Sequence, residues 1–544
     1  MRKVHLSDKK IYKKTICVLI VAVIYVIGLV VSSDYGRCWD EPAEMKILMS
    51  NMAEYVYDLL PEDSDSYKYY RESGTTGISQ SVERDHGEAT YYPIAYFLRK
   101  SESLKQKSDI WHYYSFTVFF IGTLALLYIL LNVLNCQSLA ALLVFSYFFT
   151  PRLFAQSHYN NKDTVLLSLL LVLCAVFLSL SKKQTLPKTL FASLVAALII
   201  NNKILGAWFV LVLALMFVFL SVKDHAAIKS VFFVLIFGIL GTMVFYYLLT
   251  PAMWHDPYSF VLYLTDGAKN FARWKGYVRF RGSNYVHDGY PLPKYYIPYI
   301  FIITTPLYVL AYLIIGHLMA VWNTIKRDER AITSEQQIIA ISMILIWIFP
   351  LAYAVISGMN VYNDWRHFYF MYGPMIITSA CGLDSVMTKK NVKAVAMVLL
   401  GIFNLYFIVT CYIYHPYQYC YYNILAGCNV ENEYELDYWN VSIEDALTYI
   451  LNSDRSDVIC ITASDENTKR GIEDALEIVD GSNRLVLLYD IINEWKGADY
   501  IVVNTTYDHI YGNEYGVDLD EYVPVKSFDS YGNDITRIFK KSEK

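Results

Sequence analysis

Thr164-Val-Leu-Leu-Ser-Leu-Leu-Leu-Val-Leu-Cys-Ala-Val-Phe-Leu-Ser-Leu-Ser181 carries no charge from end to end, and it runs from Asp163 on one side to Lys182-Lys183 on the other. A bilayer core about 30 Å thick is crossed by roughly 20 mainly apolar helical residues, so this stretch reads as a membrane span. Comparable runs lie at about 15–32, 113–134, 139–150, 190–200, 204–222, 230–249, 297–321, 338–357, 368–387 and 395–414. Unpaired backbone groups are costly in lipid, and the apolar residues do not alternate as barrel strands do, so helices are predicted. Runs 139–150 and 190–200 are short and need their polar flanks shielded by neighbouring helices. The first run is longer than the apolar part of a secretory signal and has no small-residue cleavage site, which predicts an uncleaved span. The expected fold is mainly α: a polytopic helical bundle of about 11 spans.

Composition agrees with this reading. Of 544 residues, 55% are hydrophobic and 18% charged, below the quarter usual in soluble domains. Aromatics at 16% exclude a disordered chain. The net charge of −5 hides two unlike parts. Residues 414–544 hold 10 Lys and Arg against 25 Asp and Glu, a net of −15, whereas residues 1–413 hold 36 against 26. A membrane module over 1–413 and a separate unit over 414–544 are therefore expected.

Basic residues concentrate in cytoplasmic loops. Arg2, Lys3, Lys9, Lys10, Lys13 and Lys14 place the N-terminus inside. An eleven-span count then puts Lys182/Lys183/Lys188, Lys223/Lys229, Lys326/Arg327/Arg330 and Lys389/Lys390/Lys393 on the same side. The outer loops become about 33–112, 151–163, 251–296 and 358–367, with the C-terminal unit outside as well. The expected location is a plasma membrane. In the C-terminal unit, helices at 442–452 and 468–479 and strands at 457–462, 484–489, 500–504, 523–528 and 535–540 predict a small extracytoplasmic α/β domain. Its acidity argues against nucleic acid and against docking on anionic lipid. The nine cysteines show no metal spacing, and Cys420 with Cys428 could form a disulfide or remain thiols.

Polar clusters gather on the outer side. The first loop opens with Asp34-Tyr-Gly-Arg-Cys-Trp-Asp40-Glu41-Pro-Ala-Glu44, followed by a helix-like stretch over 42–60. Asp40 and Glu41 read either as caps of that helix or as a general base at the membrane rim. Asp85-His86-Gly87-Glu88 follows, where His86 reads as an exposed loop residue, a sugar contact or a metal ligand. Ser157-His158-Tyr-Asn-Asn-Lys-Asp163 sets a carboxylate beside the membrane core, as a helix cap or a working group. Lys203, after Asn201-Asn202, either snorkels or binds a lipid phosphate. Arg366, in Asn363-Asp364-Trp-Arg366-His367, either clamps a phosphate or pairs with Asp364. Carboxylates beside phosphate-binding cations suit group transfer from a lipid phosphate, and equally a proton-coupled transporter.

In this order the motifs resemble the membrane glycosyltransferases of the C superfamily, of the protein O-mannosyltransferase and aminoarabinose-transferase type. The resemblance covers nearly all of 12–440. It rests on Trp39-Asp40-Glu41-Pro42, the His86 segment, 157–163, Asn202-Lys203-Ile-Leu-Gly206, Pro251-Ala-Met-Trp254-His-Asp256-Pro257, Ile303-Thr304-Thr305-Pro306-Leu307, Arg366-His367-Phe-Tyr-Phe-Met-Tyr-Gly-Pro374, and Tyr421-Tyr422-Asn423 through Glu435-Leu436-Asp437-Tyr438-Trp439. The chain departs from the family where His86-Gly87 replaces His-Pro-Pro-Leu and where His367 replaces an aromatic residue. The resemblance implies transfer of a sugar from a polyprenyl-phosphate donor to a hydroxyl acceptor (protein, glycan or lipid) with inversion. Asp40, Glu41 and Asp163 would be catalytic, and Lys203, Arg366, His367 and His86 would bind substrate. A divalent metal, as in some relatives, would fall to His86 and Glu88. A flippase of lipid-linked sugar and an inactive relative are the alternatives, and the first would draw on the few intramembrane polar groups, Asp384 and Asn404.

Overall fold

The computed structural model describes residues 21–269, 275–286, 289–327 and 330–542. Each apolar run is helical, but by length the bundle is not eleven equal spans. Among the described residues, seven helices are long and apolar enough to cross a membrane: Leu104–Val133, Asp163–Lys182, Gly206–Lys223, Ile228–Leu249, Leu307–Lys326, Ser334–Ser357 and Lys390–Ile413. Gln137–Phe148 and Pro151–Tyr159, bent by 62° at their junction, make an eighth crossing if taken together, and Val21–Ser32 and Leu186–Asn202 are shorter apolar helices. The N-terminal basic cluster and the start of the first run lie outside the described residues.

Proline accounts for most of the difference. Pro306 has no N–H and disfavours helix in the residue before it, so run 297–321 divides into Tyr296–Thr304 and Leu307–Lys326. Pro151 starts a new helix, so the polar stretch read as an outer loop is instead Pro151–Tyr159, buried along its whole length. Run 368–387 opens as a 3₁₀ turn, Arg366–Met371, before Tyr372–Asp384. The large first loop is itself helical, with Glu41–Leu59, Asp65–Glu72 and Tyr92–Lys100. Residues 251–296 add the helix Pro257–Lys269 and a hairpin pairing Val278–Phe280 with Ser283–Tyr285, which the sequence reading missed.

Lipid-facing and buried surfaces separate clearly. Phe232, Ile236, Ile239 and Met243 on Ile228–Leu249 are all exposed, as apolar residues in a soluble helix are not. This helix meets Leu186–Asn202 through small groups: a Cβ on Gly241 would sit 2.7 Å from Ser193 Oγ, and Ser193 Oγ donates to Gly238 O at 3.1 Å. Leu307–Lys326 and Tyr372–Asp384 approach backbone to backbone, for a Cβ on Gly382 would lie 1.9 Å from Gly316 O. Asp384 accepts from Asn135 N, Cys136 N and Gln336 Nε2 at 2.9–3.0 Å. Asn404 accepts from Ser146 Oγ (2.8 Å) and Tyr308 OH (3.0 Å) and donates to Leu142 O.

The C-terminal unit is an α/β domain. Its five-stranded sheet runs Leu485–Leu487, Ile459–Ala463, Tyr500–Asn504, Asn533–Lys541, Tyr522–Ser530 in spatial order. The first three strands are parallel, and the last two pair antiparallel. Tyr500–Asn504 falls where expected, while Thr505–Tyr515, capped by the Asn504 side chain on Thr506 N, is a helix the sequence reading missed. The disulfide does not form: Cys420 is buried, Cys428 is exposed, and both are free thiols.

A buried ion pair within the bundle is the point to which the C-terminal unit attaches, through Tyr421 and Tyr438. Arg152 Nη1 lies 2.9 Å from Asp364 Oδ2, with both side chains 1% exposed. Tyr369 OH and Tyr438 OH donate to the same oxygen at 2.9 and 3.3 Å, and Arg152 Nε donates to Tyr421 O. Asp364 itself sits at φ 65°, a left-handed position that Asp tolerates better than most residues. Removing one partner of such a buried pair strands the other. Arg152→Leu should therefore cost on the order of 3–5 kcal/mol, whereas Asp224→Asn at the exposed Lys223–Asp224 pair should cost at most about 1 kcal/mol. Thermal unfolding in detergent, followed by intrinsic fluorescence, checks the contrast.

Candidate active site

Four helix ends converge at one rim of the bundle. Asp40 precedes Glu41–Leu59, Asp163 opens Asp163–Lys182, Lys203 follows Leu186–Asn202, and Arg366 begins the 3₁₀ turn before Tyr372–Asp384. Asp40 occupies the N-cap position yet makes no side-chain cap bond. Its Oδ2 instead accepts from Arg366 Nη1 at 3.0 Å. So Asp364 takes Arg152, and Arg366 is left for Asp40. Asp163 Oδ1 accepts from Lys203 Nζ at 2.5 Å, and Asp163 Oδ2 from Asn160 Nδ2 at 3.2 Å.

The Arg366 guanidinium is held between two aromatic faces, 4.6 Å from the Tyr362 ring centroid and 4.3 Å from that of Trp439. Its Nε finds no hydrogen-bond acceptor among the described residues. The His367 ring packs on Tyr362 at 4.4 Å. Burial lowers the His367 pKa well below the usual histidine range, Lys203 and Arg366 lower it further, and Asp163 opposes them, so the ring is neutral at physiological pH. Burial also raises the Asp40 carboxyl, Arg366 pulls it back, and Glu44 and Asp163 push it up. The net shift is upward.

The neighbouring acids serve other partners. Glu41 is fully buried and accepts from His112 Nε2 at 2.8 Å, turned away from Arg366. Lys162 Nζ sits 2.5 Å from Glu88 and 3.5 Å from Glu44, and also donates to Gly87 O. Burial pushes both carboxyls up, but Lys162 holds Glu44 down at about 2, while Glu88 stays well above its ordinary value. The pair thus keeps one negative charge opposite one ammonium. His86 lies 3.9 Å from Glu44 and 3.5 Å from Glu83. Metal-ligating atoms come together in Glu83, Asp85 and His86, and separately in Glu54, Asp58 and His255. Glu88, committed to Lys162 and Asn161, is not among them, which removes it as His86's partner on a metal. His158 is a core residue, bonded to Ser32 Oγ and stacked on Phe116 at 4.7 Å.

The sequence reading gathers Asp40, Glu41, Asp163, Lys203 and Arg366 on one outer face; the structure sets Asp40 on Arg366 and Asp163 on Lys203, and gives Glu41 to His112. That reading assigns no role to Glu44 or Lys162, and takes Glu435 and Trp439 only as part of a motif. Glu44 had a signal, since it lies one helical turn after Asp40. Spacing gives no sign that Glu435 and Trp439 reach the rim from the far end of the chain.

Fold and site together define a multi-pass helical membrane protein that carries a charged extramembrane site under an α/β domain. No family model matches the chain, and no curated protein matches it. Among solved structures it is similar to the crystal structure of ArnT from Cupriavidus metallidurans in the apo state, with 10% identity over 97% of this chain and 98% of that one and a TM-score of 0.44. ArnT from the same organism bound to undecaprenyl phosphate gives 10% identity, 96% and 98% coverage and the same TM-score. Likenesses this faint carry no argument about chemistry, which rests on the geometry.

Glu435 gives the site a measurable pH signature. It is buried, and its Oε1 accepts from Asn363 Nδ2 at 2.6 Å and from Arg279 N at 3.2 Å. Burial pushes its pKa up to about 8 against those bonds. Unfolded, the same carboxyl ionises near the ordinary glutamate value of 4.5. Its contribution to stability is therefore complete below pH 4.5 and is lost as pH rises toward about 8. Glu435→Gln keeps an oxygen for both donors and should flatten the fall of Tm across that window relative to wild type.

Proposed function

We propose that the protein is an integral membrane glycosyltransferase that moves a sugar from a polyprenyl-phosphate donor to a hydroxyl acceptor with inversion at the anomeric carbon. The observation that carries this reading is the paired array Asp40–Arg366 and Asp163–Lys203 at the end of an apolar bundle. An apolar flank accommodates a polyprenyl chain, the cations suit its phosphate, and a carboxylate stands within reach of both.

In this reading Asp40 removes the proton from the acceptor hydroxyl as the sugar leaves the phosphate. Its raised pKa suits a base, because a base works best when it is as basic as it can be while still ionised at the working pH. Phosphate departs readily, so the demand is to stabilise its growing charge. Arg366 meets that demand with the guanidinium donors that Asp40 does not occupy, and Lys203 with a mobile ammonium that exchanges Asp163 for phosphate. Glu41, closed off by His112, fixes the start of the Asp40 helix, and Asp163 holds Lys203 in readiness. Neutral His367 and half-exposed His86 line the approach to the sugar. In the same proposal the C-terminal domain and the loop helices lie outside the plasma membrane, over the site. The transporter reading is weakened by Asp384 and Asn404, whose hydrogen bonds lock helices together.

Asp40→Asn should lower the transfer rate on the order of 10²- to 10⁴-fold while leaving donor binding largely intact. Transfer of radiolabel from polyprenyl-phosphate sugars in membranes measures it. A variant rate equal to wild type removes Asp40 from the chemistry. In the wild type, activity should fall as pH drops through the Asp40 pKa, because the base must be ionised.

A further inference from the structure

Trp439 touches Arg366 itself and, on the other side of the pair, the residue that precedes Asp40. Its carbonyl accepts from Trp39 N at 3.1 Å, one residue before Asp40. Its indole face lies 4.3 Å from the Arg366 guanidinium carbon, opposite Tyr362. Tyr438, next to it, donates to Asp364 Oδ2 and accepts from Gln156 Nε2 at 2.8 Å. One short loop after the last helix thus contacts the first outer loop, the Arg366 turn and the Pro151–Tyr159 helix.

The α/β domain holds that loop from the other side. Leu436 N donates to Thr506 Oγ1 at 3.0 Å, and Asn504 Nδ2 donates to Asp437 O at 2.8 Å and to Asn440 Oδ1 at 2.7 Å. Tyr507 OH donates to Tyr438 O at 2.7 Å, and Asn440 Nδ2 to Asn467 O at 3.1 Å. Ser442 and Thr536 hydroxyls share a bond at 2.7 Å. Asn440, at φ 59°, makes the turn that presents these groups in opposite directions. The domain thus takes the Asp437 and Tyr438 carbonyls and the Asn440 and Ser442 side chains, while the Tyr438 and Trp439 rings face the site.

We propose that Trp439 is a positioning residue through which the C-terminal α/β domain sets how Arg366 meets Asp40. The proposal rests on the reading of Asp40 as the working carboxylate. Arg366 has a long side chain with several rotatable bonds, and besides its bond to Asp40 the Tyr362 and Trp439 faces restrict where the guanidinium stands. With the Trp439 face removed, Arg366 spends less time on Asp40. Asp40 is faced by Glu44 on its own helix, by Asp163 across the rim, which itself holds Lys203, and by Arg366 on the turn. Losing the nearest cation from that set makes the carboxylate harder to ionise.

The test uses the full chain in lipid nanodiscs, with Trp439→Leu, Trp439→Phe and Tyr507→Phe. Trp439→Leu should reduce kcat/KM for transfer at least tenfold and move the acid limb of the pH profile upward by about one unit. Trp439→Phe retains an aromatic face and should restore the limb to its wild-type position. Tyr507→Phe, which releases only Tyr438 O, should move the limb in the same direction by less. A second readout needs no turnover: the pH midpoint for modification of Asp40 by dicyclohexylcarbodiimide, which reacts with the protonated acid, read by peptide mass spectrometry. Lost activity with unmoved limb and midpoint in Trp439→Leu and Tyr507→Phe overturns the proposal. If Trp439→Leu does not fold, Tyr507→Phe decides by the same criterion. If the wild type transfers no sugar, the transferase reading fails, while the carbodiimide midpoint still rises or fails to rise in the variants.

Discussion

A charge removed from water at the rim of an apolar bundle must meet its opposite, and this requirement organises the molecule. Arg152 meets Asp364, Arg366 meets Asp40, Lys203 meets Asp163, and Lys162 meets the Glu44–Glu88 pair. Every one of these pairings joins segments far apart in the chain. They do little for net stability in the way hydrophobic burial does, since desolvation offsets much of the Coulomb attraction. What they supply is register. The pairings fix which helix ends stand together, and they gather two carboxylates and two cations in one place.

The apolar helices were legible in the sequence because lipid allows few alternatives to a helix. Their interruptions were harder. Pro306 divides what reads as one continuous segment, because hydropathy averages over such a break, and Pro151 opens a helix in what reads as a loop. The strand Tyr500–Asn504 was legible from its apolar run, whereas Thr505–Tyr515 was not, since its residues carry little amphipathic pattern and its helicity depends on the Asn504 cap and on packing. At the site, residue type and depth sufficed to collect Asp40, Asp163, Lys203 and Arg366. Which cation takes which carboxylate was beyond local reading: Asp364 lies two residues from Arg366, yet a buried Arg152 from another helix claims it. Glu41 likewise looks equivalent to Asp40 until His112 distinguishes them.

Chemistry and architecture meet at a compromise over solvent. Asp40 is partly open, as a group that handles an acceptor's proton must be, while Glu41 beside it is sealed. Lys203 is more exposed than the Asp163 it contacts, so the ammonium can swing without breaking the helix start. The rigid partner is Arg366, held between rings. One mobile and one fixed cation make a natural division between capturing a phosphate and orienting it.

The helix Ile228–Leu249 is the least buried of the long apolar helices, and it meets Leu186–Asn202 through Gly241, Gly238 and Ser193. Interhelical hydrogen bonds in lipid average only about 0.6 kcal/mol, so such a seam opens at modest cost. Its outer end is stitched to the first loop, with Tyr92 OH on Leu249 O and Asn201 Nδ2 on Thr250 Oγ1. In purification this is the seam that a harsh detergent enters first, and displacement there pulls on the loop that holds Glu88. The choice of solubilising agent thus acts on the charged rim from a distance, and short-chain detergents will extract a folded but slackened protein.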